Sequence, residues 1–278
     1  MYPDELFNFL GVSLDLYTIC FMVGVLACLI YTVIAMKKSG YSKSASDTII
    51  LIGILSIIIG LLVAALFQAV YDYIANPSAG FHFGQGMTFL GGLIGGVVAF
   101  IGLYFLFVYA INPHLKDTNI FKVDMNKGIW YLVRIAPISI TIAHAFGRIG
   151  CLFAGCCHGH VTDEWYGIWN ESVGAKTVPI PLYESIFLFV LSALLIVLLF
   201  KFHSKDTMAI YLISYGIWRF VIEYFRDDYR GDFIPGLSPS QFWSIIMVMA
   251  GIAVFFIYRY FDKKIEAKEL EQVNEKVG

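Results

Sequence analysis

His144, Arg148, Cys151, Cys156, Cys157, His158 and His160 crowd into residues 144–160, HAFGRIGCLFAGCCHGH, at the end of a hydrophobic run. His144, Arg148 and Cys151 are spaced i, i+4, i+7, which puts them on one face of a helix. An arginine at membrane depth costs about 2.5–3.5 kcal/mol on insertion scales, so something in the fold must offset Arg148. Two offsets are open. One is an anionic lipid head group, whose phosphate suits the guanidinium fork. The other is a structural pair with a carboxylate or with backbone carbonyls. Gly147 and Gly150 flank Arg148 and let a backbone or ligand come close, which favours the head group.

Arg219, Glu223 and Arg226 repeat the spacing i, i+4, i+7 further along the chain. An ion pair within that helix would leave little free charge, with Arg226 as an interfacial snorkeller. A second cationic stripe at the depth of Arg148 makes a phosphate site instead, and that reading is preferred. The thiols Cys151, Cys156 and Cys157 admit a zinc site, a disulfide on an oxidising face, or a reactive thiol. The pattern C-x4-C-C-H matches no familiar ligand spacing, and adjacent Cys156 and Cys157 should diverge unless the backbone turns. No metal ligand and no cofactor are therefore assigned.

The elements that must position these groups lie in a bilayer. The chain is 59% hydrophobic and 14% charged, against about 25% charged in soluble domains. Its net charge of −2 gives no reason to expect nucleic acid. Apolar runs at 14–36, 48–74, 87–110, 129–155, 182–202, 208–226 and 241–261 are each near the roughly 20 residues a spanning helix needs. The expectation is an all-α polytopic membrane protein with seven transmembrane helices. Lys37, Lys38, Lys43, Lys116, Lys122, Lys127, Lys201 and Lys205, with Arg259, Lys263, Lys264, Lys268 and Lys276, fall on one side; the opposite loops hold only Lys176, Arg226 and Arg230. The positive-inside rule then puts the N-terminus outside and the C-terminus in the cytoplasm. Asp4 and Glu5 stand where a secretory signal carries lysines, so the first run reads as a retained span. Residues 1–261 form the membrane domain and 262–278 a charged cytoplasmic tail. Arg148, Arg219, Glu223, Arg226, Tyr17, Glu184 and Leu90 all approach the outer leaflet in this topology.

Residues 86–96, GMTFLGGLIGG, read either as close helix packing through Gly91 and Gly95 or as a broken helix start lining a cavity. Cys20 and Cys28 lie in the first span, where cysteine behaves as a small buried hydrophobe.

The assembled motifs resemble the prolipoprotein diacylglyceryl transferases. SLDLYTICFMVG (13–24) is similar to that family's first-helix motif with its tyrosine, here Tyr17, and QGMTFLGGLIGG (85–96) to its glycine-rich motif. GRIGCLFAGCCHG (147–159) resembles the signature, PLYES (181–185) the Tyr-Glu motif, YGIWRFVIEYFR (215–226) the Arg-x-x-x-Glu helix, and SQFWS (240–244) the start of the last helix. The resemblance implies a seven-helix enzyme of the bacterial cytoplasmic (inner) membrane whose site faces outward. Such enzymes move the diacylglyceryl group of phosphatidylglycerol onto a lipoprotein cysteine. It implies catalytic roles for Arg148, Arg219 and Glu223, and substrate binding by Tyr17, Gly91, Gly92, Gly147, Gly150, Cys151, Glu184, Arg226 and Gln241.

Departures from the pattern are specific. Leu90 stands at the family's histidine, Cys151 replaces an asparagine and Cys156 a glutamate. His144 is the best replacement base by position and His158 the second, while Cys156 and Cys157 are candidate nucleophiles. The partners are then phosphatidylglycerol or a similar anionic phospholipid and an acceptor that is a protein thiol or a small molecule, not necessarily a lipoprotein cysteine. Two other classes compete: a phospholipid-binding or transport protein that lost catalysis with Leu90, and a thiol or metal sensor built on the cysteine cluster.

Overall fold

The computed structural model describes residues 7–9, 12–83, 86, 88–111, 128–227 and 236–277; Gln85, Lys116, Lys122, Lys127 and Arg230 lie outside them. Among the described residues the helices are α1 (Leu16–Lys38), α2 (Lys43–Ala75), α3 (Phe89–Leu106), α4 (Gly128–Phe153), α5 (Ile180–Phe200), α6 (Thr207–Ile222) and α7 (Pro239–Val277). Six of them are long and apolar enough to cross a membrane. α6 is the exception. Its 16 residues reach about 24 Å, short of the roughly 30 Å hydrocarbon core. It winds on into a 3-10 turn, Glu223–Phe225, which adds about 2 Å per residue.

Several helix starts are written locally. Asp15 Oδ1 accepts the Thr18 amide at 2.7 Å, and Ser42 Oγ accepts the Ala45 amide at 3.1 Å. At α7 the Ser238 hydroxyl accepts the Gln241 amide at 3.2 Å while Gln241 Oε1 accepts the Ser238 amide at 3.1 Å. That is a reciprocal capping box with Pro239 at the first helical position. Two short antiparallel hairpins interrupt the all-helical plan: β1 (Phe7–Phe9) with β2 (Val12–Leu14), and β3 (Ile168–Asn170) with β4 (Ala175–Thr177). Strands this short carry too little alternation to register as a period.

The contacts divide the chain into two units, Met1–Tyr31 with Ile129–Gly278, and Thr32–Gly128. Within Thr32–Gly128, α2 and α3 pack closely. A Cβ on Gly91 would stand 2.8 Å from Phe67 Cβ, and one on Gly95 2.6 Å from Val63 Cβ. Gly92 lies against Ala64, and the Thr88 amide donates to Ala64 O at 3.1 Å. The glycine-rich stretch in this unit is therefore a helix-packing seam of the small-xxx-small kind. An apolar groove lined by Ile59, Val63, Ile94, Val98 and Leu103 runs beside it.

In the other unit, glycines again set the close approaches. Gly24 of α1 meets Phe146 and Ala143 of α4, and Gly216 of α6 meets Val248 and Ser244 of α7. The Ser185 hydroxyl of α5 donates to Ala145 O of α4 at 3.0 Å. Thr207 Oγ1 at the start of α6 donates to Arg134 O at 2.8 Å. Phe187 of α5 and Trp218 of α6 stack with centroids 4.4 Å apart. Helices α4, α5 and α6 thus present facing stripes to one another.

Candidate functional site

The stripe on α4 carries His144 and Arg148. Arg148 Nε donates to His144 Nε2 at 3.2 Å and lies 3.1 Å from Glu184 Oε2. Glu184, one turn into α5, is 0% exposed. Its other oxygen accepts the Tyr215 hydroxyl of α6 at 2.7 Å. That hydroxyl also stands 3.4 Å from His144 Nε2, and the His144 and Tyr215 rings meet edge to face. Three helices thus close a ring of imidazole, guanidinium, carboxylate and phenol. A buried carboxylate without a cation beside it would be costly, so Arg148 and Glu184 offset one another. The carboxylate pairing that the sequence left open for Arg148 is present. Gly150, half a turn beyond, lies 3.1 Å from the Tyr17 ring when given a Cβ, whereas a Cβ on Gly147 meets nothing within 4 Å among the described residues.

A second cluster forms where α6 ends and α7 begins. Arg219 Nη2 lies 2.9 Å from Glu223 Oε2 and donates to Ser240 Oγ at 2.8 Å. Glu223 Oε1 accepts the Ser238 hydroxyl at 3.0 Å, and Arg226 Nε stands 3.7 Å from Glu223 Oε2. Arg219 Nη1 is buried with no hydrogen-bond partner among the described residues. Across the two clusters Arg148, Arg219 and Arg226 face Glu184 and Glu223. Counting carboxylates alone, the guanidiniums exceed them by one, and that one, Arg226, also lies beside Cys157; Arg219 Nη1 is a buried donor still to be satisfied. That arrangement suits an oxyanion.

The cysteines gather at the C-terminus of α4. The Cys156 amide donates to Cys151 O and the Gly155 amide to Leu152 O, both at 3.2 Å, with Gly155 at φ 67°. This is a Schellman closure, whose geometry brings the side chains at its two ends together, here Cys151 and Cys156. Asn170, 0% exposed, donates to Gly155 O at 2.9 Å and fixes the turn. Cys157 then adopts φ 61°, and the three Sγ atoms lie within 4.8 Å of one another. Hydrogen bonds from Cys151 and Cys156, with Arg226 beside it, hold the Cys157 thiol well below the ordinary thiol range despite burial. The Cys156 thiol, hydrogen-bonded to Cys151 and Cys157, is pushed up. The divergence expected of adjacent cysteines does not occur, because the backbone turns at Gly155 and Cys157.

The structure therefore brings together His144, Arg148 and Glu184, then Arg219, Glu223 and Arg226, then the three thiols, with Tyr17 against Gly150. Gln241 is engaged in capping α7. His158 Nδ1 bonds Gly159 O at 2.9 Å. Gly91 and Gly92 belong to the other unit, in the seam described above. Sequence reasoning overlooked Tyr215, Ser238 and Ser240. Tyr215 was findable, since it precedes Arg219 by four residues on the same stripe. Ser238 could have been read from the Ser-Pro-x-Gln cap.

A family model described as prolipoprotein diacylglyceryl transferase matches residues 4–257. A phosphatidylglycerol–prolipoprotein diacylglyceryl transferase of Clostridium tetani is 30% identical over 261 residues, covering 92% of this chain and 97% of that protein. One of Clostridium perfringens, designated 2, is 31% identical, covering 91% and 94%. A relative of the same name from Bordetella bronchiseptica is 32% identical, covering 78% and 80%.

Proposed function

Since the chain belongs to the prolipoprotein diacylglyceryl transferase family, we propose that it transfers the diacylglyceryl group of phosphatidylglycerol to a thiol acceptor. The setting is the outer leaflet of a bacterial cytoplasmic membrane. The relatives' names specify phosphatidylglycerol and a prolipoprotein, and a protein cysteine is the acceptor in this reading. The observation that carries it is the pair of buried guanidiniums Arg148 and Arg219, each held by a carboxylate, with Arg219 Nη1 still unpartnered among the described residues.

In the proposed reaction Arg148 and Arg219 hold the phosphodiester, oriented by Glu184 and Glu223. The acceptor sulfur attacks the glyceryl carbon esterified to phosphate, a C–S bond forms, and that carbon's C–O bond breaks. Glycerol phosphate leaves with the bonding electrons. The arginines stabilise the charge that develops on it, which is worth several kcal/mol in a site shielded from water. The thiol proton goes to His144 Nε2, whose lone pair is released when Arg148 turns from it to the phosphate; Tyr215 stands 3.4 Å away to relay it. This gives His144 the task for which Leu90 has no side-chain base. The topology in this reading has seven spans, with α6 and its 3-10 turn together matching the bilayer, the N-terminus outside and the C-terminus in the cytoplasm. Tyr17 and Gly147 border the lipid, while Gly150 packs against the Tyr17 ring.

The presence of Leu90 at the family's histidine favours one rival, a phospholipid-binding protein without turnover. Incubating the purified chain with phosphatidylglycerol and a cysteine-bearing peptide separates the two. Release of glycerol phosphate with a matching mass gain on the peptide supports transfer. Co-purified phosphatidylglycerol with neither product supports the rival.

A further inference from the structure

The geometry points to a thiophilic metal site at the end of α4, with Cys151, Cys156 and Cys157 as three thiolate ligands to one zinc ion and solvent as the fourth. Neither the family reading nor the transfer reaction requires it. A Schellman closure sets the first and last of its residues side by side, and both are cysteines here. Cys157 would ordinarily point away from Cys156. Its left-handed φ of 61° turns it back, so that all three Sγ atoms lie within 4.8 Å of one another. Three sulfurs bound to one zinc at about 2.3 Å stand about 3.8 Å apart in a tetrahedron. Side-chain rotations of a fraction of an ångström to about one ångström close that difference without moving the chain.

The surroundings suit the charge. Three thiolates and Zn2+ carry one net negative charge, and the Arg226 guanidinium, its side chain 2% exposed, lies beside Cys157. The turn is held in advance of any ion by the buried Asn170, which bonds Gly155 O at 2.9 Å and the Ser172 amide at 3.1 Å. A Cβ on Gly155 would come 2.7 Å from Asn170 Oδ1, so glycine is required there on steric as well as torsional grounds. Cys156 is exposed while Cys151 and Cys157 are half-buried, which gives the ion an entry path and leaves its fourth position open to water. On binding, every thiol that still carries a proton yields it to solvent, and each sulfur gives a lone pair to the metal, so the site loads with proton release.

The test uses the full-length chain purified in detergent under reducing conditions with zinc supplied, then passed through a desalting column. Elemental analysis should find zinc in equal proportion to protein. Cobalt loading should give the thiolate charge-transfer band and intense visible bands of a tetrahedral sulfur-rich site. Cys151→Ser, Cys156→Ser and Cys157→Ser should each weaken zinc binding by more than about 100-fold, beyond what loss of a supporting contact costs. Cys28→Ser should retain the metal. Monodisperse elution of each variant identifies it as folded; the cobalt spectrum of the wild-type chain decides the matter if one is not. Substoichiometric zinc in the wild-type chain would overturn the proposal. So would a disulfide among the three cysteines in protein prepared without reductant, or equal metal loss in Cys28→Ser.

Discussion

Arg148 carries two duties that pull in different directions. It neutralises Glu184, which has no exposure, and in the proposed reaction it also holds a phosphate. Removing it outright leaves a buried carboxylate unpaired, a loss of about 3–5 kcal/mol. Arg148→Ala should therefore lower the thermal unfolding midpoint in detergent as well as turnover. Arg148→Lys separates the duties. It keeps the charge but loses the bidentate fork, so turnover should drop by about 10²-fold or more with the midpoint close to that of the parent chain. Tyr215→Phe removes the donor to Glu184 Oε1 and should cost about 1–3 kcal/mol, read from the same unfolding curves. Much at this scale is legible from spacing: His144 with Arg148, and Arg219 with Glu223, do meet one turn apart. The partners from other helices are not. Nothing in the local pattern announces that Glu184 and Tyr215 close the ring on Arg148, since such pairs are fixed by packing between helices distant in sequence.

At the scale of elements, α4 is held in place by glycines that look alike in sequence and differ in surroundings. Gly150 faces the Tyr17 ring of α1 at contact distance, while a Cβ on Gly147 meets nothing within 4 Å among the described residues. Gly150→Ala should push α1 from α4 and cost about 1–3 kcal/mol of overpacking. Gly147→Ala should be neutral or stabilising by up to about 1 kcal/mol. If lipid approaches beside Gly147, that same substitution raises the Michaelis constant for phosphatidylglycerol, and kinetics on mixed micelles measure it. The apolar runs foretold the long helices because about 20 consecutive hydrophobic residues admit few alternatives. They missed the two hairpins and the change of winding at Glu223. Strands of three residues have no detectable period, and a 3-10 turn keeps the same polarity as the helix it extends. The clustering of Cys151 with Cys156 was legible in principle, since a glycine at Gly155 marks the closure that joins them.

For the whole molecule, the charge distribution makes a directional statement that the helices alone do not. Trp165, 90% exposed in the connection between α4 and α5, should lie outside the cell, and Lys205, between α5 and α6, inside it. In a chain otherwise free of cysteine, Trp165→Cys should react with an impermeant maleimide on intact cells, and Lys205→Cys only after permeabilisation. The reverse pattern would invert the proposed topology and move the arginines to the cytoplasmic leaflet. Whether Arg148 and Arg219 hold the phosphate is read from the lipid itself. Purified chain, Arg148→Lys and Arg219→Lys are incubated with phosphatidylglycerol and a cysteine peptide, and glycerol phosphate is quantified by mass spectrometry. The parent chain should release glycerol phosphate with equal peptide lipidation, and both variants should fall by about 10²-fold or more. Undiminished release by the folded variants, or none from the parent chain, would contradict the proposed reaction.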